Sequence, residues 1–389
     1  MVYNEMGRAK LKDGLYEFIK GIPSSCKIFT NRIVYGLLSI LCETKYGDHI
    51  VSKKGNRQLD EYVFRAKFKS NLHIKNVAIK FFYFGEDASL EYDLYSKFRK
   101  VFKNNPEVEI PKPITYFKTK FWMSDGGYFP QDILLTQCAD CTPLKNILRT
   151  KRLYEQKFYR DILGKIIRIT ADVHNTLGTL LSRKEIKELE EDQQWYDSQS
   201  AESTESKFNL DLKNEAFRTI TDFLNSNKKG EVWIKDIKPA NWGYNFKTEK
   251  LVLLDFDCVQ KHLPQWDWAK FIDNEELDGY DRKEILEKFL DYNSKSNEEK
   301  EMNRKLYYYC SFLKNSFYST GFFDNWDDFD PKEDARIRNK KRRALHSLIR
   351  QRFQRALDSL EYIIDNYDNN PGLLEAKDLV KTGCSYRPL

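Results

Sequence analysis

The chain has 389 residues, and 65 lysines and arginines against 59 aspartates and glutamates give it a net charge of only +6. This small excess excludes the strong positive field of a dedicated nucleic-acid-binding protein. Hydrophobic residues make up 41% of the chain, which is enough for a sizeable core and excludes wholesale disorder. The length predicts two or three domains or lobes.

The sequence also predicts where the protein resides. Its longest nearly apolar run, 33–42, is too short for a bilayer, which takes roughly 20 residues, so we expect no membrane span. The N-terminal residues lack the apolar core typical of a secretory signal. Seven cysteines, an odd number scattered along the chain, favour free thiols in a reducing compartment. We therefore expect a cytoplasmic protein.

Local patterns in the first 140 residues predict a small β-rich half. Apolar residues at helical spacing predict a short helix over 11–19, and the run 33–42 fits either a helix or a buried strand. An apolar stripe predicts a longer helix over 88–102. Strands are predicted near 48–55 and over 60–69, 76–84, 114–122 and 132–138, with 60–69 and 76–84 forming a hairpin.

Helices dominate the rest of the chain, so the fold class is α+β. We place the boundary near residue 140, between a domain 1–140 and a mostly helical domain 141–389. A helix is predicted over 159–178, and residues 182–206, rich in Glu, Ser and Gln, predict a solvated or disordered insertion. Short strands are expected over 230–236 and 250–257, and helices from Trp266 on.

Three separated segments carry residue types suited to phosphoryl transfer. They are VAIK at 77–80 on a predicted strand, KDIKPANW at 235–242 after a short strand, and LLDFD at 253–257 at a strand end. The transfer needs a fixed cation beside the phosphates, oxygen ligands for Mg²⁺, and a carboxylate that takes the proton of the acceptor. The candidates are Lys80 as the cation, Asn241 and Asp255 as oxygen ligands, and Asp236 as the carboxylate.

In this order, the motifs V-A-I-K, D-x-K-P-x-N and D-F-x resemble the signatures of the protein-kinase-like superfamily. The resemblance covers the chain from about residue 48 to about residue 290 and implies a two-lobed kinase fold that uses ATP and Mg²⁺. It implies these roles: Asp236 as the catalytic aspartate with Lys238 beside it, Asn241 and Asp255 as metal ligands, and Lys80 as the phosphate-binding lysine.

The acidic partner of Lys80 is expected on the following helix. Glu91 borders the inward face of that helix and is the preferred candidate. Glu86 falls before the helix and is the second choice.

Several residues depart from the superfamily's pattern. No G-x-G-x-x-G lies between the first predicted strands, so Gly55, or the basic Lys53, Lys54 and Arg57, would have to serve the phosphates. Ile234 and Lys235 replace the usual His-Arg pair, and Asp257 stands where protein kinases have glycine.

The spacing after Asp255 indicates a branch. Only eleven residues (267 − 255 − 1) lie between Asp255 and Asp267. The chain also lacks the Ala-Pro-Glu motif that ends the peptide-binding segment of protein kinases. The segment around Asp267 is similar to one in small-molecule kinases of the aminoglycoside and choline type, where the aspartate braces the catalytic loop. The chain therefore resembles this branch of the superfamily or the neighbouring lipopolysaccharide-kinase branch.

This resemblance implies transfer of the γ-phosphate of ATP to a hydroxyl of a small molecule, such as a sugar, an aminoglycoside-like compound or an amino alcohol. Two alternatives remain. One is a Ser/Thr protein kinase, favoured by the sequence Asp236-Ile237-Lys238. The other is a catalytically inactive scaffold that binds a partner or nucleic acid.

Other conspicuous residues are better explained by structure. Cys138 and Cys141 lack a second pair, so zinc is not favoured, and His174 at a helix end is expected to be structural. The acidic segment 326–330 is expected to cap a helix rather than bind a cation. The basic cluster 336–343 continues into an apolar helical stripe, so a solvated helix face is favoured over a nucleic-acid site.

Overall fold

The structure is a computed structural model. It describes residues 61–67, 76–82, 88–122, 128–137, 140–149, 156–191, 215–256, 259–324, 335–368 and 370–385. The chain forms two compact units: the first comprises Met1–Cys141 and Val252–Asp257, and the second comprises Thr142–Leu251 and Cys258–Leu389. Several predictions fall outside the described residues: those for 11–19, 33–42, 48–55 and 326–330, and those for Gly55, Lys53, Lys54, Arg57, Glu86, Cys138 and Asp257.

The first unit contains a four-stranded sheet and one helix. Its elements are β1 (Glu61–Lys67), β2 (Asn76–Phe82), α1 (Ala88–Val101), β3 (Val108–Glu109), β4 (Pro113–Trp122) and β5 (Tyr128–Gln137). The sheet order is β1-β2-β5-β4, and each neighbouring pair is antiparallel. The predicted hairpin of 60–69 with 76–84 is confirmed as the antiparallel pair of β1 and β2.

Strand β2 lies inside this sheet, between β1 and β5. Lys80 is opposite Val63 in β1 and Leu134 in β5, so the backbone around it is bonded on both sides. Side chains two residues apart in a strand point to the same face. Lys80 and Phe82 therefore share a face, and both are buried.

The helix α1 packs its apolar face against β4 and β5. Its buried residues recur at helical spacing and are Ala88, Glu91, Leu94, Tyr95 and Phe98. The backbone N–H of Ala88 at its first turn donates to Asp132 Oδ2 on β5 at 3.2 Å, which places a carboxylate at the positive end of the helix dipole. The buried positions include one carboxylate, Glu91, which needs a partner.

The second unit is mostly helical. Its helices are α2 (Leu144–Arg149), α3 (Gln156–Leu180), α4 (Glu215–Ser226), α5 (Pro264–Ile272), α6 (Arg282–Asn293), α7 (Asn297–Asp324), α8 (Ala335–Asn366) and α9 (Pro371–Ser385). Its strands are β6 (Thr142–Pro143), β7 (Val232–Lys235), β8 (Trp242–Asn245), β9 (Lys250–Leu253, whose last two residues belong to the first unit) and β10 (Val259–His262). The expected α+β fold class, a small sheet-containing part and a mostly helical remainder, is confirmed.

A buried polar network joins α5 to α7 and α8. The carboxylate of Asp273, just after α5, accepts hydrogen bonds from Tyr307 at 3.0 Å, Ser311 at 2.7 Å and Asn315 at 2.9 Å, all on α7. Arg355 on α8 donates to the backbone oxygen of Asp273 at 2.6 Å. Because buried carboxylates are costly without partners, this network fixes α5 against both long helices.

The expected insertion at 182–206 is described only in its first part. Residues 183–191 are helical, so the prediction of disorder is wrong for these residues. Ser182 Oγ accepts the N–H of Glu185 at 3.2 Å, and Glu185 Oε2 accepts the N–H of Ser182 at 2.6 Å, which is a capping box. Leu189 is buried while most neighbours are exposed, and residues 192–206 lie outside the described residues.

The apolar stripe predicted after the basic cluster is confirmed on α8, where Ile349, Phe353, Ala356, Leu357 and Leu360 are buried. Arg343 is exposed. The side chains of the other basic residues of the cluster, within 336–342, are not among those that the structure describes. Within the described ranges, no helix has the length and apolar character that a membrane span requires.

Candidate active site

The first unit brings three of the predicted site residues together. Lys80 on β2 donates from Nζ to Glu91 Oε2 on α1 at 2.7 Å and to Asp255 Oδ1 at 2.6 Å. The Lys80 side chain is 9% exposed, that of Glu91 is 2% exposed, and that of Asp255 is 22% exposed. The ammonium group is thus held between a fully buried carboxylate and one that solvent reaches.

Asp255 follows β9 in an unusual backbone conformation, because its φ of 63° lies in the left-handed region. Its N–H donates to the hydroxyl oxygen of Tyr95 at 2.9 Å, and the next N–H, that of Phe256, donates to Glu91 Oε1 at 3.0 Å. The Tyr95 contact was not predicted from the sequence, because Tyr95 belongs to the apolar stripe of α1 and its hydroxyl leaves no periodic signal.

The second unit forms a tight loop from Asp236 to Asn241, between β7 and β8. Pro239–Asn241 is a single 3₁₀ turn with proline at its first position, where the missing N–H costs nothing. Asn241 Nδ2 donates to the backbone oxygen of Asp236 at 2.8 Å, and Trp242 Nε1 donates to that of Ile237 at 2.9 Å. Both side chains are buried, so the ends of the loop are fixed to each other.

Asp236 is a buried carboxylate that remains ionised. Its Oδ2 lies 2.8 Å from Nζ of Lys238, whose side chain is 43% exposed. Burial raises the pKa of Asp236, but the charges of Lys270, Lys238 and Lys235 outweigh that effect and lower it below the usual value. Lys270 lies on α5 and was not singled out from the sequence, because only the tertiary fold brings α5 near β7.

Asp267 on α5 lies in the fully buried interior of the second unit. Its Oδ2 is 2.9 Å from Nε2 of His174 on α3, while its Oδ1 has no hydrogen-bond partner in the described part of the chain. Burial raises the pKa of Asp267, and the bond to His174 opposes that rise. Among the described contacts, the carboxylate binds α3 through a histidine that was expected to be structural. The expected role of Asp267 as a brace of the catalytic loop stays a prediction.

The donor chemistry of two residues fits Mg²⁺. Asp255 offers a partly exposed carboxylate, and the Nδ2 of Asn241 is used within its own loop, which leaves Oδ1 as the atom for a cation. Mg²⁺ takes one or two protein oxygens together with phosphates and water. In the described ranges, no group of three or more His, Cys, Asp or Glu side chains could hold a metal.

The sequence matches no protein-family model and no curated protein sequence. The structure is similar to a microcompartment-associated aminopropanol kinase, with a TM-score of 0.48 and 11% identity over 81% of this chain and 96% of that chain. It is similar to an ethanolamine kinase from Plasmodium vivax, with a TM-score of 0.47 and 13% identity over 89% of this chain and 94% of that chain. It is also similar to a spectinomycin phosphotransferase in complex with ADP and spectinomycin, with a TM-score of 0.35 and 12% identity over 82% of this chain and 89% of that chain.

Proposed function

We propose that the chain is a phosphotransferase of the protein-kinase-like superfamily, which transfers the γ-phosphate of ATP to a hydroxyl of a small molecule. The buried ammonium of Lys80, 2.7 Å from Glu91 and 2.6 Å from Asp255, carries this proposal. Glu91 is the more buried carboxylate, so the exposed side of the ammonium is the side of Asp255. A phosphate group can approach Lys80 there while Glu91 keeps the lysine in place.

Asp255 and Asn241 are the proposed Mg²⁺ ligands, each through a hard oxygen atom. When bound there, Mg²⁺ would neutralise negative charge on the phosphates. The left-handed backbone of Asp255 supports a functional role, because non-glycine residues with positive φ are uncommon and cluster at functional sites.

Asp236 is the proposed general base. Its lowered pKa keeps it as a carboxylate at neutral pH, so it can orient the acceptor hydroxyl and take its proton. The acceptor oxygen forms a bond to the γ-phosphorus, and the bond from that phosphorus to the β–γ bridging oxygen breaks. ADP leaves with that oxygen and its electron pair. Lys238, paired with Asp236 at 2.8 Å and partly exposed, can stabilise the charge of the transferred group.

A small acceptor is supported by the short connection after Asp255. Eleven residues (267 − 255 − 1) separate Asp255 from Asp267. In the described part of that connection, β10 takes Val259–His262 and α5 begins at Pro264. Because β10 pairs with β7 over its whole length, little backbone remains to form the extended platform that a peptide substrate needs.

Binding of Mg·ATP and transfer of its phosphate test the proposal. Asp255→Ala should abolish the Mg²⁺-dependent part of ATP binding, measured by calorimetry with and without the metal. Asp236→Asn should leave Mg·ATP binding nearly intact and lower phosphate transfer by about 10²–10⁴-fold, the usual contribution of a general base. The exposed Asp222→Asn variant removes the same charge from α4 and serves as the control.

Two results would contradict the proposal. One is wild-type protein that fails to bind Mg·ATP, which would favour the inactive scaffold. The other is an Asp255→Ala variant with wild-type affinity and turnover, which would remove Asp255 from the metal site.

A further inference from the structure

One face of α1 holds two consecutive peptide groups of the segment after β9. Glu91 Oε1 accepts the N–H of Phe256 at 3.0 Å, and the hydroxyl oxygen of Tyr95 accepts the N–H of Asp255 at 2.9 Å. Residues i and i+4 lie one above the other on a helix. Glu91 and Tyr95 are therefore a pair of acceptors spaced by one helical turn.

These two hydrogen bonds flank the unusual dihedral angles of Asp255. The N–H of Asp255 precedes its φ, and the N–H of Phe256 follows its ψ, so the pair fixes the peptide planes on both sides of the α-carbon. A φ of 63° is rarely adopted by residues with a side chain, and such a conformation persists where surrounding contacts impose it. It directs the Asp255 carboxylate to 2.6 Å from Nζ of Lys80.

The ring of Tyr95 is held by packing and does not depend on its hydroxyl. Tyr95 is 5% exposed, and its ring meets that of Phe256 edge-on with centroids 4.7 Å apart. Phe98, one turn further along α1, contacts the same Phe256 ring with centroids 4.9 Å apart. A phenylalanine at position 95 would keep this packing and lose only the acceptor for the Asp255 N–H.

We propose that Tyr95 is a positioning residue for Asp255: its hydroxyl holds the Asp255 peptide group so that the carboxylate keeps the direction needed for Mg²⁺ binding. Tyr95 acts through Asp255 and touches neither phosphate nor acceptor. This inference rests on the proposed function, because it assumes that Asp255 is a metal ligand.

The Tyr95→Phe variant tests the role, with Mg²⁺ titrated at fixed ATP and ATP titrated at saturating Mg²⁺. We expect the Mg²⁺ concentration for half-maximal turnover to rise by about tenfold, the effect of losing one buried hydrogen bond. Turnover should recover at high Mg²⁺, and ATP binding without metal should not change. Tyr92→Phe on the same helix, whose ring is 5.3 Å from that of Tyr116, is the matched control and should behave as wild type.

Hydrogen exchange of the Asp255 amide gives a second measurement, which needs no activity. The amide should be protected in the wild-type protein and should exchange faster in Tyr95→Phe, while the amide of Phe256 changes less. An unprotected Asp255 amide in the wild type would overturn the inference. So would a Tyr95→Phe variant with unchanged Mg²⁺ dependence in a protein that binds Mg·ATP; failure of the wild type to bind Mg·ATP would instead overturn the proposed function.

Discussion

At the scale of single residues, the surroundings of Asp236 decide when it can act as a base. Burial alone would raise its pKa, because a dry environment disfavours the charged carboxylate. Lys270, Lys238 and Lys235 reverse that shift. Lys270 lies on α5, Lys235 ends β7, and Lys238 lies in the loop after β7. The ionised state of the proposed base is therefore favoured by the fold and not by its own loop alone.

The acid limb of the pH–rate profile should report this arrangement. Transfer is lost as the pH falls through the pKa of Asp236, and in the wild-type protein that pKa lies below its usual value. Lys270→Gln removes the strongest of the charges that lower it, so we expect the acid limb to move to higher pH. Turnover at pH 8 should change less, because Asp236 is ionised there in both proteins.

The exposed Lys283→Gln variant on α6 removes one positive charge from another part of the same unit and is the control. An acid limb that stays in place in Lys270→Gln would mean that another group controls it, or that Asp236 is not the base.

Some residues of the candidate site could be predicted from the sequence and others could not, for different physical reasons. The resemblance to kinases implied an acidic partner for Lys80 on the following helix, and the period of that helix selected Glu91. The structure brings Lys80 and Glu91 together at 2.7 Å. The contacts of Tyr95 and Lys270 depend on which faces meet after folding. Periodicity assigns both residues to a helix but says nothing about the hydroxyl or the charge.

At the scale of elements, the contact of α5 with α7 includes a buried lysine. Lys314 on α7 is 6% exposed, and its Nζ donates to the backbone oxygen of Ala269 on α5 at 3.1 Å. Burial lowers the pKa of this ammonium to about 7, although Asp273 opposes the shift. The helix contact therefore contains a group that changes charge near neutral pH.

Stability should rise with pH above about 7 because of Lys314. In the unfolded chain the lysine keeps its proton up to about pH 10, so between these values the unfolded state binds more protons. The free energy of unfolding then increases with pH, by at most about 1.4 kcal/mol per pH unit. Lys314→Met should flatten this slope between pH 7 and 9, as measured by denaturant titrations at each pH.

The exposed Lys229→Met variant loses the same charge and provides the comparison for Lys314→Met. Equal slopes in wild type and Lys314→Met would show that the lysine does not lose its proton in the folded state.

The helix at 183–191 decides between the two alternatives predicted from composition: the segment is not disordered there, and most of its side chains are exposed, as expected of a solvated segment. Glu, Ser and Gln suggested a solvated or disordered segment, yet Ser182 and Glu185 form a capping box and Leu189 is buried. The S-x-x-E signal was present in the sequence at 182–185. A helix with one buried residue per two turns has little apolar periodicity, so its cap is the stronger signal.

At the scale of the whole molecule, the α+β class followed from the order of strand and helix patterns along the chain. Strands β2, β4 and β5 and helices α1 and α3 all begin and end within a few residues of the predicted bounds. The short strands β3, β6, β8 and β10 were missed, since two to four residues carry too little periodicity to detect. The polar network around Asp273 was also beyond prediction, because its members are far apart in the sequence.

The acceptor class is a prediction for the whole molecule. Incubated with labelled ATP and Mg²⁺, the protein should label soluble alcohols, sugars or amino alcohols and leave a mixed peptide library unlabelled. The physical reason is the short connection between Asp255 and Asp267, which leaves little backbone for a peptide platform. Asp236→Asn is the control that shows which labelling depends on the proposed base.

Robust labelling of Ser or Thr peptides that disappears in Asp236→Asn, with no small-molecule acceptor found, would contradict this choice. It would favour the alternative of a Ser/Thr protein kinase.

The network around Asp273 sets a practical limit on how far this protein can be shortened for expression. The nearest of its side-chain donors, Tyr307, lies 34 residues downstream of Asp273, and the most distant partner, Arg355, lies 82 residues downstream. A recombinant fragment that stopped before α7 would leave the Asp273 carboxylate without these donors and the apolar face of α5 uncovered. Such a fragment should accumulate in inclusion bodies, whereas fragments that extend through α8 keep every partner of Asp273 described above.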